Sequence, residues 1–176
     1  MAAPRQGGDA QSDGVIRWRF ARFEELTARE VHDLLRLRAE VFVVEQACAF
    51  QDVDGADLPS WHLLGWQGEE LVAYSRLLPT GIKFAEASIG RVVTSPALRG
   101  TGLGRELMGE SLRRADTLWP GQPIRIGAQA RLESFYEDFG FAKASAPYDE
   151  DGILHIEMLR PAPGMPETAG RKARQE

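Results

Sequence analysis

Apolar residues recur along the first half of the chain with the spacings of strands and of one long helix. From Val15 to Phe20 apolar and basic residues alternate, which predicts a half-buried strand. Thr27 and Glu30 form a capping box, and apolar residues follow at helical spacing, so a helix is predicted from Ala28 to about Val43. Two apolar runs around a polar turn predict an antiparallel hairpin over residues 61–66, 67–70 and 71–78.

Strands and helices alternate in the second half. A predicted strand over Ser88–Thr94 stops before Pro96, because proline has no N–H to donate to a strand ladder. The later predicted elements are a helix over Leu103–Leu118, a strand over Ile124–Ala128, a helix over Leu132–Phe139, a strand over Phe141–Ser145, a polar turn over Tyr148–Gly152 and a strand over Ile153–Arg160. This order predicts an α/β fold with a mixed central sheet flanked by helices. We expect one domain over residues 14–160, with disordered tails at 1–13 and 161–176.

Composition narrows the class of protein. The 176 residues are 43% hydrophobic and 27% charged, as is typical of a soluble globular domain, and no apolar run reaches the length of a membrane span. The single cysteine, Cys48, excludes an internal disulfide and favours the cytoplasm. A net charge of −5 argues against nucleic acid as a partner. We expect a monomer or homodimer that binds neither nucleic acid nor membranes.

Three glycines at alternate positions separate the predicted central strand from the next helix, in Arg99-Gly100-Thr101-Gly102-Leu103-Gly104. Glycines allow successive backbone N–H groups to point into one concavity, and a helix N-terminus adds the positive end of its dipole, so the segment predicts a phosphate site. A P-loop would need Lys-Ser/Thr after Gly104, and a dinucleotide fingerprint would need glycine at Arg105 or Leu107. The alternative is a glycine-rich turn that binds nothing.

The pattern that remains, Arg-x-x-Gly-x-Gly, resembles the pyrophosphate-binding signature of the GCN5-related N-acetyltransferases. A second match lies downstream, where Ala-x-x-x-x-Phe-Tyr-x-x-x-Gly-Phe over residues 130–141 resembles the other half of the acetyltransferase site. Segments 38–46, 51–55, 62–66 and 151–158 resemble the ElaA branch of this family. The resemblance covers about residues 15–160. It implies acetyl-CoA as the acyl donor and a splay between the central strand and strand 124–128.

Acetyl transfer from a thioester to an amine requires a neutral amine, a stabilised oxyanion and a protonated leaving thiolate. A backbone N–H of Val92 or Val93 on the central strand is the candidate oxyanion donor. The resemblance implies that Tyr136 assists the thiolate and that pantetheine binds along the opened strand. The residues expected to bind the donor are Val92, Val93, Arg99, Gly100, Thr101, Gly102, Leu103, Gly104 and Gln129.

The acceptor side is predicted from an acidic stretch between the first helix and the hairpin. Asp54 and Asp57 would attract a protonated amine, and either Glu45 or His62 would act as the general base. His155 in the last strand is assigned to acceptor binding. The predicted activity is acetyl-CoA-dependent N-acetylation of a primary amine, on a small molecule or a peptide end, by direct attack in a ternary complex. The alternative is a non-catalytic acyl-CoA sensor on the same fold.

Two other chemistries have weaker support. Cys48 as an acetyl-accepting nucleophile lacks an activating base nearby in the sequence. The run from Asp52 to Asp57 hints at a calcium loop, but its twelfth position would be Leu63 where such loops have glutamate. No metal site is therefore predicted.

Overall fold

The computed structural model describes residues 14–162, so the predicted tails lie outside the described residues, apart from Pro161 and Ala162. The helices are α1 (Ala28–Arg38), α2 (Leu103–Leu118) and α3 (Glu133–Glu137). The strands are β1 (Arg17–Arg22), β2 (Trp61–Gln67), β3 (Glu70–Leu78), β4 (Ala87–Thr94), β5 (Ile124–Gln129), β6 (Ala142–Lys143), β7 (Tyr148–Glu150) and β8 (Ile153–Arg160). Among residues 14–162, no helix is both long and apolar enough to cross a membrane.

Within the described residues, eight strands form one mixed sheet in the order β1-β2-β3-β4-β5-β8-β6, and β7 pairs with the N-terminal part of β8. β4 and β5 are parallel, whereas their other neighbours, β3 and β8, are antiparallel to them. α2 lies between β4 and β5 in the chain, because parallel neighbours need a long crossover. The predicted mixed sheet flanked by helices is confirmed.

Helices cover both faces of this sheet. Leu63 of β2 belongs to a core cluster that includes Leu107 of α2. The next residue along the strand, Leu64, belongs to a second cluster that includes Leu34 of α1. Because successive side chains of a strand point to opposite faces, β2 and β3 are buried along most of their length and show little alternation.

The sheet opens between β4 and β5. Only the first two residues of each strand pair, Ala87 with Ile124 and Ser88 with Arg125. Beyond this point β4 continues beside β3, and β5 continues beside β8. The predicted splay is confirmed, and it leaves the facing backbone edges of β4 and β5 without a strand partner in the described part of the chain.

A β-bulge lies in the opened part of β4. Arg91 and Val92 together stand opposite the single residue Ser75 of β3. Arg91 has a φ of 49°, in the left-handed region that residues with side chains rarely adopt. Its guanidinium is anchored to the loop over residues 46–60, which we call the loop after α1, with Nε 2.8 Å from Asp52 Oδ1. The bulge therefore bends β4 at the splay, and the Arg91 side chain ties that bend to the loop.

Several predicted boundaries differ from the structure. The first helix is α-helical only to Arg38 and continues to Glu45 as a π-helical segment, whose spacing the apolar pattern does not separate from α-helix. The helix predicted over 132–139 is the five-residue α3, preceded by a 3-10 turn. The strand predicted over 141–145 is the two-residue β6. The turn predicted over 148–152 contains β7, because the chain there folds back onto β8.

Candidate active site

A cavity of about 900 Å³ occupies the opening between β4 and β5. Its walls come from both splayed strands, the π-helical segment with the loop after it, α3, and the turn between β7 and β8. The predicted site residues that line it are Glu45, Asp54, Val92, Val93, Arg99, Gly104, Gln129, Tyr136 and His155. The splay thus brings most of the predicted residues into one space.

The glycine segment forms a turn that leads into α2. Gly100 and Gly102 have φ values of 77° and 93°, a region that favours glycine. Gly102 is the N-cap of the 16-residue α2, and no side chain caps this end. A Cβ placed on Gly102 or Gly104 would meet no atom within 4 Å. Unsatisfied N–H groups beside open space fit the phosphate group that the sequence predicted here.

The two residues between the glycines, Thr101 and Leu103, have their side chains engaged within the protein. Thr101 donates its hydroxyl to the carbonyl of Leu98 at 2.7 Å, which closes the turn. Leu103 packs its side chain into the core. Their contribution to a bound anion would therefore come from the backbone.

Val92 and Val93 also have side chains committed to packing. Val93 is buried in the cluster beneath α1, while Val92 packs against the core on the α2 side of the sheet. Both residues lie where β4 has separated from β5, at and just after the bulge. Their backbone groups are consequently the part that the open strand edge offers to a ligand.

Tyr136 lines the cavity from α3. Its side chain is surrounded by aromatic rings, with the centroids of Phe135 and Phe141 at 5.1 and 6.1 Å. Burial raises the pKa of Tyr136 to about 12, so the hydroxyl remains protonated at neutral pH. Among the described residues the hydroxyl makes no hydrogen bond, and it is not one of the buried polar atoms that lack a partner, so it is accessible to a ligand in the cavity.

Glu45 and Arg99 form an ion pair at the wall of the cavity, with Arg99 Nη2 at 2.7 Å from Glu45 Oε2. The hydrogen bond from Arg99 holds the pKa of Glu45 below its usual value. A carboxylate with a lowered pKa accepts protons less readily, so this pairing makes Glu45 a poor general base. Arg99 directly precedes the glycines, which places its positive charge beside the predicted phosphate site.

The aspartates of the loop after α1 are paired with arginines. Asp57 Oδ1 accepts hydrogen bonds from Arg38 and Arg76 at 2.8 and 2.9 Å. Asp54 accepts two from Arg76, at 2.7 and 2.8 Å. Three aspartates alternate with three arginines in this salt-bridge network, which consists of Arg38, Asp52, Asp54, Asp57, Arg76 and Arg91.

The network contradicts the predicted role of Asp57 in acceptor binding. Asp57 is 5% exposed and is not among the residues that line the cavity. Burial raises the pKa of Asp57, but the hydrogen bond and charge of Arg38, with those of Arg76, outweigh it and lower the pKa. Asp54 does line the cavity, yet its charge is matched by arginine, and its pKa is likewise lowered. The acidic loop therefore presents little unpaired negative charge to an amine.

The structure also contradicts the prediction that His62 is a general base. His62 is fully buried and does not line the cavity. Its Nε2 donates to the carbonyl of Asp57 at 3.0 Å, and its Nδ1 accepts from the hydroxyl of Tyr74 at 2.8 Å. Burial lowers the pKa of His62, so the ring remains neutral. Through its hydrogen bond to the backbone of Asp57, His62 helps to position the salt-bridge network.

Gln129 and His155 stand opposite each other on β5 and β8. Gln129 donates to Gln46 Oε1 at 3.1 Å and accepts from Arg131 Nε at 3.0 Å, so its amide bridges two walls of the cavity. His155 Nδ1 lies 2.8 Å from the carbonyl oxygen of Ile153. Both side chains are therefore oriented by the protein before any ligand binds.

The sequence alone did not indicate that Arg91, Lys83 and Glu150 line the cavity. Arg91 pairs with Asp52 and Asp54. The signal for this pairing in the sequence is an arginine at the centre of an otherwise apolar strand, together with an acidic loop elsewhere in the chain. Lys83 and Glu150 approach each other to 3.8 Å at the wall of the cavity. Cys48 also lines the cavity, but its thiol donates to the carbonyl of Asp151 at 3.3 Å. Among residues 14–162, no group of three or more acidic, histidine or cysteine side chains is placed to hold a metal ion.

Comparison with known proteins gives the family. The model of a family described as "Acetyltransferase (GNAT) domain" matches residues 41–160, which is more than half of the chain. This chain belongs to the GNAT acetyltransferase family. Protein ElaA of Escherichia coli K12 is 45% identical over 148 residues, which cover 83% of this GNAT chain and 97% of ElaA.

Two solved structures support the same placement. The crystal structure of Escherichia coli ElaA has a TM-score of 0.79 and 44% identity, and the match covers 83% of this chain and 99% of that one. An acyl-CoA N-acyltransferase from Pseudomonas aeruginosa has a TM-score of 0.80 and 44% identity, with the same coverage of 83% and 99%. The chain is thus an ElaA-like GNAT protein, and its fold is that of an acyl-CoA N-acyltransferase.

Proposed function

We propose that the protein transfers an acetyl group from acetyl-CoA to a primary amine by direct attack within a ternary complex. The observation that carries this proposal is the convergence of three features on one cavity. These are the uncapped N-terminus of α2, the edge of β4 that separates from β5 beyond Ser88, and the hydroxyl of Tyr136. They suit, in turn, the phosphates, the amide-containing arm and the sulfur of a thioester donor.

The donor would be bound mainly through backbone groups. N–H groups at the start of α2, with the guanidinium of Arg99, would bind the pyrophosphate. The free edge of β4 would bond the amides of pantetheine as an added strand would. Binding in this direction would bring the thioester to the bulge at Arg91 and Val92. Gln129, on the facing strand, would border the same arm.

The chemistry creates negative charge first on the carbonyl oxygen and then on sulfur. A backbone N–H of Val92 or Val93 would donate to the oxyanion, and loss of one such donor typically costs about 10²–10³ in kcat. Tyr136 would donate to the sulfur. With a pKa of about 12, this hydroxyl acts as a hydrogen-bond donor. It would not release its proton completely, because the thiolate of a thiol with a pKa of about 8.5 is a weaker base than the phenolate.

The proposed acceptor is a primary amine on a small molecule or at a peptide end. Attraction by Asp57 no longer forms part of this proposal, because arginines pair that aspartate. Polar side chains that line the cavity include Glu150, His155 and Lys83. We propose that they contact the amine and its substituents.

Release of free thiol from acetyl-CoA tests the proposal. The acceptors should be a panel of polyamines, amino acids, aminoglycosides and peptides, with an amine-free reaction to measure hydrolysis. We expect saturable release above that background with at least one class of amine. If calorimetry shows acetyl-CoA binding but no amine releases thiol, the proposal fails and a non-catalytic acyl-CoA sensor takes its place.

A further inference from the structure

We infer that His155 is the general base of the acyl transfer and accepts the proton of the acceptor amine at Nε2. This inference rests on the proposed function. His155 Nδ1 lies 2.8 Å from the carbonyl oxygen of Ile153 on the same strand. A carbonyl oxygen only accepts hydrogen bonds, so Nδ1 carries the proton. In a neutral ring with Nδ1–H, the lone pair is on Nε2.

The surroundings of the ring leave Nε2 available to a ligand. Ile156 and Met158, one and three residues further along β8, are fully buried in the core. Since side chains alternate along a strand, His155 lies on the other face, where it lines the cavity. Tyr148 stacks on the ring with a centroid distance of 6.1 Å. In the described part of the chain, no side chain or backbone group bonds to Nε2.

The other candidate bases are less suitable because their basic atoms are paired with arginines or buried away from the cavity. Glu45 is paired with Arg99, which lowers its pKa. His62 is buried away from the cavity with both nitrogens bonded. Asp54 accepts two hydrogen bonds from an arginine. Of these side chains, His155 alone lines the cavity without being paired with an arginine.

Charged side chains lie close to the ring of His155. Glu150 Oε2 lies 3.9 Å from His155 Nδ1, and Lys83 Nζ lies 3.8 Å from the other oxygen of that carboxylate. Asp151 and Arg131 line the same cavity. Of these groups, the Glu150 carboxylate lies within 4 Å of the ring.

The proposed step balances without another reactant. The neutral amine forms a C–N bond to the thioester carbon, and its proton moves to Nε2 of His155. The C–S bond then breaks with its electron pair on sulfur, while the Tyr136 hydroxyl donates a hydrogen bond to that sulfur. The proton on His155 passes through water to the thiolate. The products are one amide and one free thiol.

The variant His155→Asn tests this role while preserving the local structure. The asparagine amide nitrogen can still donate to Ile153, as Nδ1 does, but no atom replaces Nε2. We expect kcat to fall about 10²–10⁴-fold and acetyl-CoA affinity, measured by calorimetry, to stay within about twofold. The rising limb of kcat/KM between about pH 5 and 8, where histidines change charge, should disappear. Added imidazole should restore part of kcat.

The matched control is His32→Asn. His32 is exposed on α1 and bonded to Asp33, outside the cavity, so its variant should keep full activity. Unchanged kcat and pH profile in His155→Asn, with active wild-type protein, would overturn the role of His155 and leave the proposed function intact. Absence of wild-type turnover would instead overturn the proposed function.

A second measurement does not depend on turnover. Nitrogen-15 NMR of protein labelled at histidine reports which ring nitrogen carries the proton. The signals that are missing from the spectrum of His155→Asn are assigned to His155. At a pH where the His155 ring is neutral, we expect its proton on Nδ1. A neutral ring protonated at Nε2 would refute the inference whether or not a substrate is known.

Discussion

Replacement of Asp57 by asparagine separates a structural role of the acidic loop from a role in binding amines. The side chain keeps its size but loses the charge that faces Arg38 and Arg76, whose nitrogens lie 2.8 and 2.9 Å from Oδ1. Both arginines are nearly inaccessible, at 0% and 2% exposure, so water cannot solvate the positive charge that loses its partner. Three positive charges of the network would then face two negative ones.

The size of the effect follows from this burial. Loss of one partner of a buried ion pair destabilises proteins by about 3–5 kcal/mol. We expect the lower end, about 3 kcal/mol, because Asp52 still pairs with Arg38, Asp54 still pairs with Arg76, and asparagine keeps one acceptor oxygen. At about 2–4 °C per kcal/mol for a chain of this size, Tm should fall by about 6–12 °C.

Differential scanning calorimetry of Asp57→Asn against Asp116→Asn provides the assay. Asp116 also pairs with an arginine, Arg160 at 2.7 Å, but its side chain is 48% exposed, so its loss should cost less than about 1 kcal/mol. Because the folded pKa of Asp57 is lowered, its contribution is complete above the unfolded pKa of 3.8 and declines as the pH falls towards the folded pKa. Equal Tm shifts in the two variants, or a raised amine KM in Asp57→Asn without loss of Tm, would refute the structural account.

Three further predictions concern the cavity. Gly102→Asp should weaken acetyl-CoA binding in calorimetry at least about 100-fold, because like charges meet; Gly102→Ala, which has the same backbone strain without charge, should lose much less, and equal losses would argue against a phosphate there. Tyr136→Phe should lower kcat about 100-fold at unchanged donor affinity; unaltered single-turnover rates would reduce Tyr136 to packing. Arg91→Lys cannot reproduce the guanidinium's contacts to Asp52, so kcat should fall about 10–100-fold, and wild-type kcat would exclude a role in positioning β4.

The turn and the start of α2, where we propose that the donor's phosphates bind, could be predicted from the sequence because their geometry depends on neighbouring residues. Consecutive residues around Gly102 supply the left-handed turn, the N-cap and the first N–H groups of α2. No partner from a distant part of the chain is needed, so the glycine pattern in the sequence is enough to predict this local structure. The opening of the sheet was implied only by the resemblance to a family, and it is confirmed because the pairing of β4 with β5 ends at Ser88.

The environment of the residues predicted to bind an acceptor could not be predicted in the same way, because it depends on partners that are distant in the sequence. The arginines that neutralise Asp57 lie 19 residues away in either direction and on different elements. A sequence shows that charges exist but not which of them meet. The prediction for His62 was wrong for a related reason. Only the packing of α1 on the second face of the sheet buries both faces of β2, and the sequence does not show that packing.

Direct transfer of the acetyl group is the central claim, and a single-turnover experiment with isotope-labelled acetyl-CoA tests it most directly. The reaction should be quenched at intervals, and mass spectrometry should locate the label on the donor, the protein and the amine. Direct attack in a ternary complex predicts that the label passes from the donor to the amine nitrogen and that the protein remains unlabelled throughout. Label on Cys48 during turnover, or label that stays on bound donor with every amine, would contradict the claim.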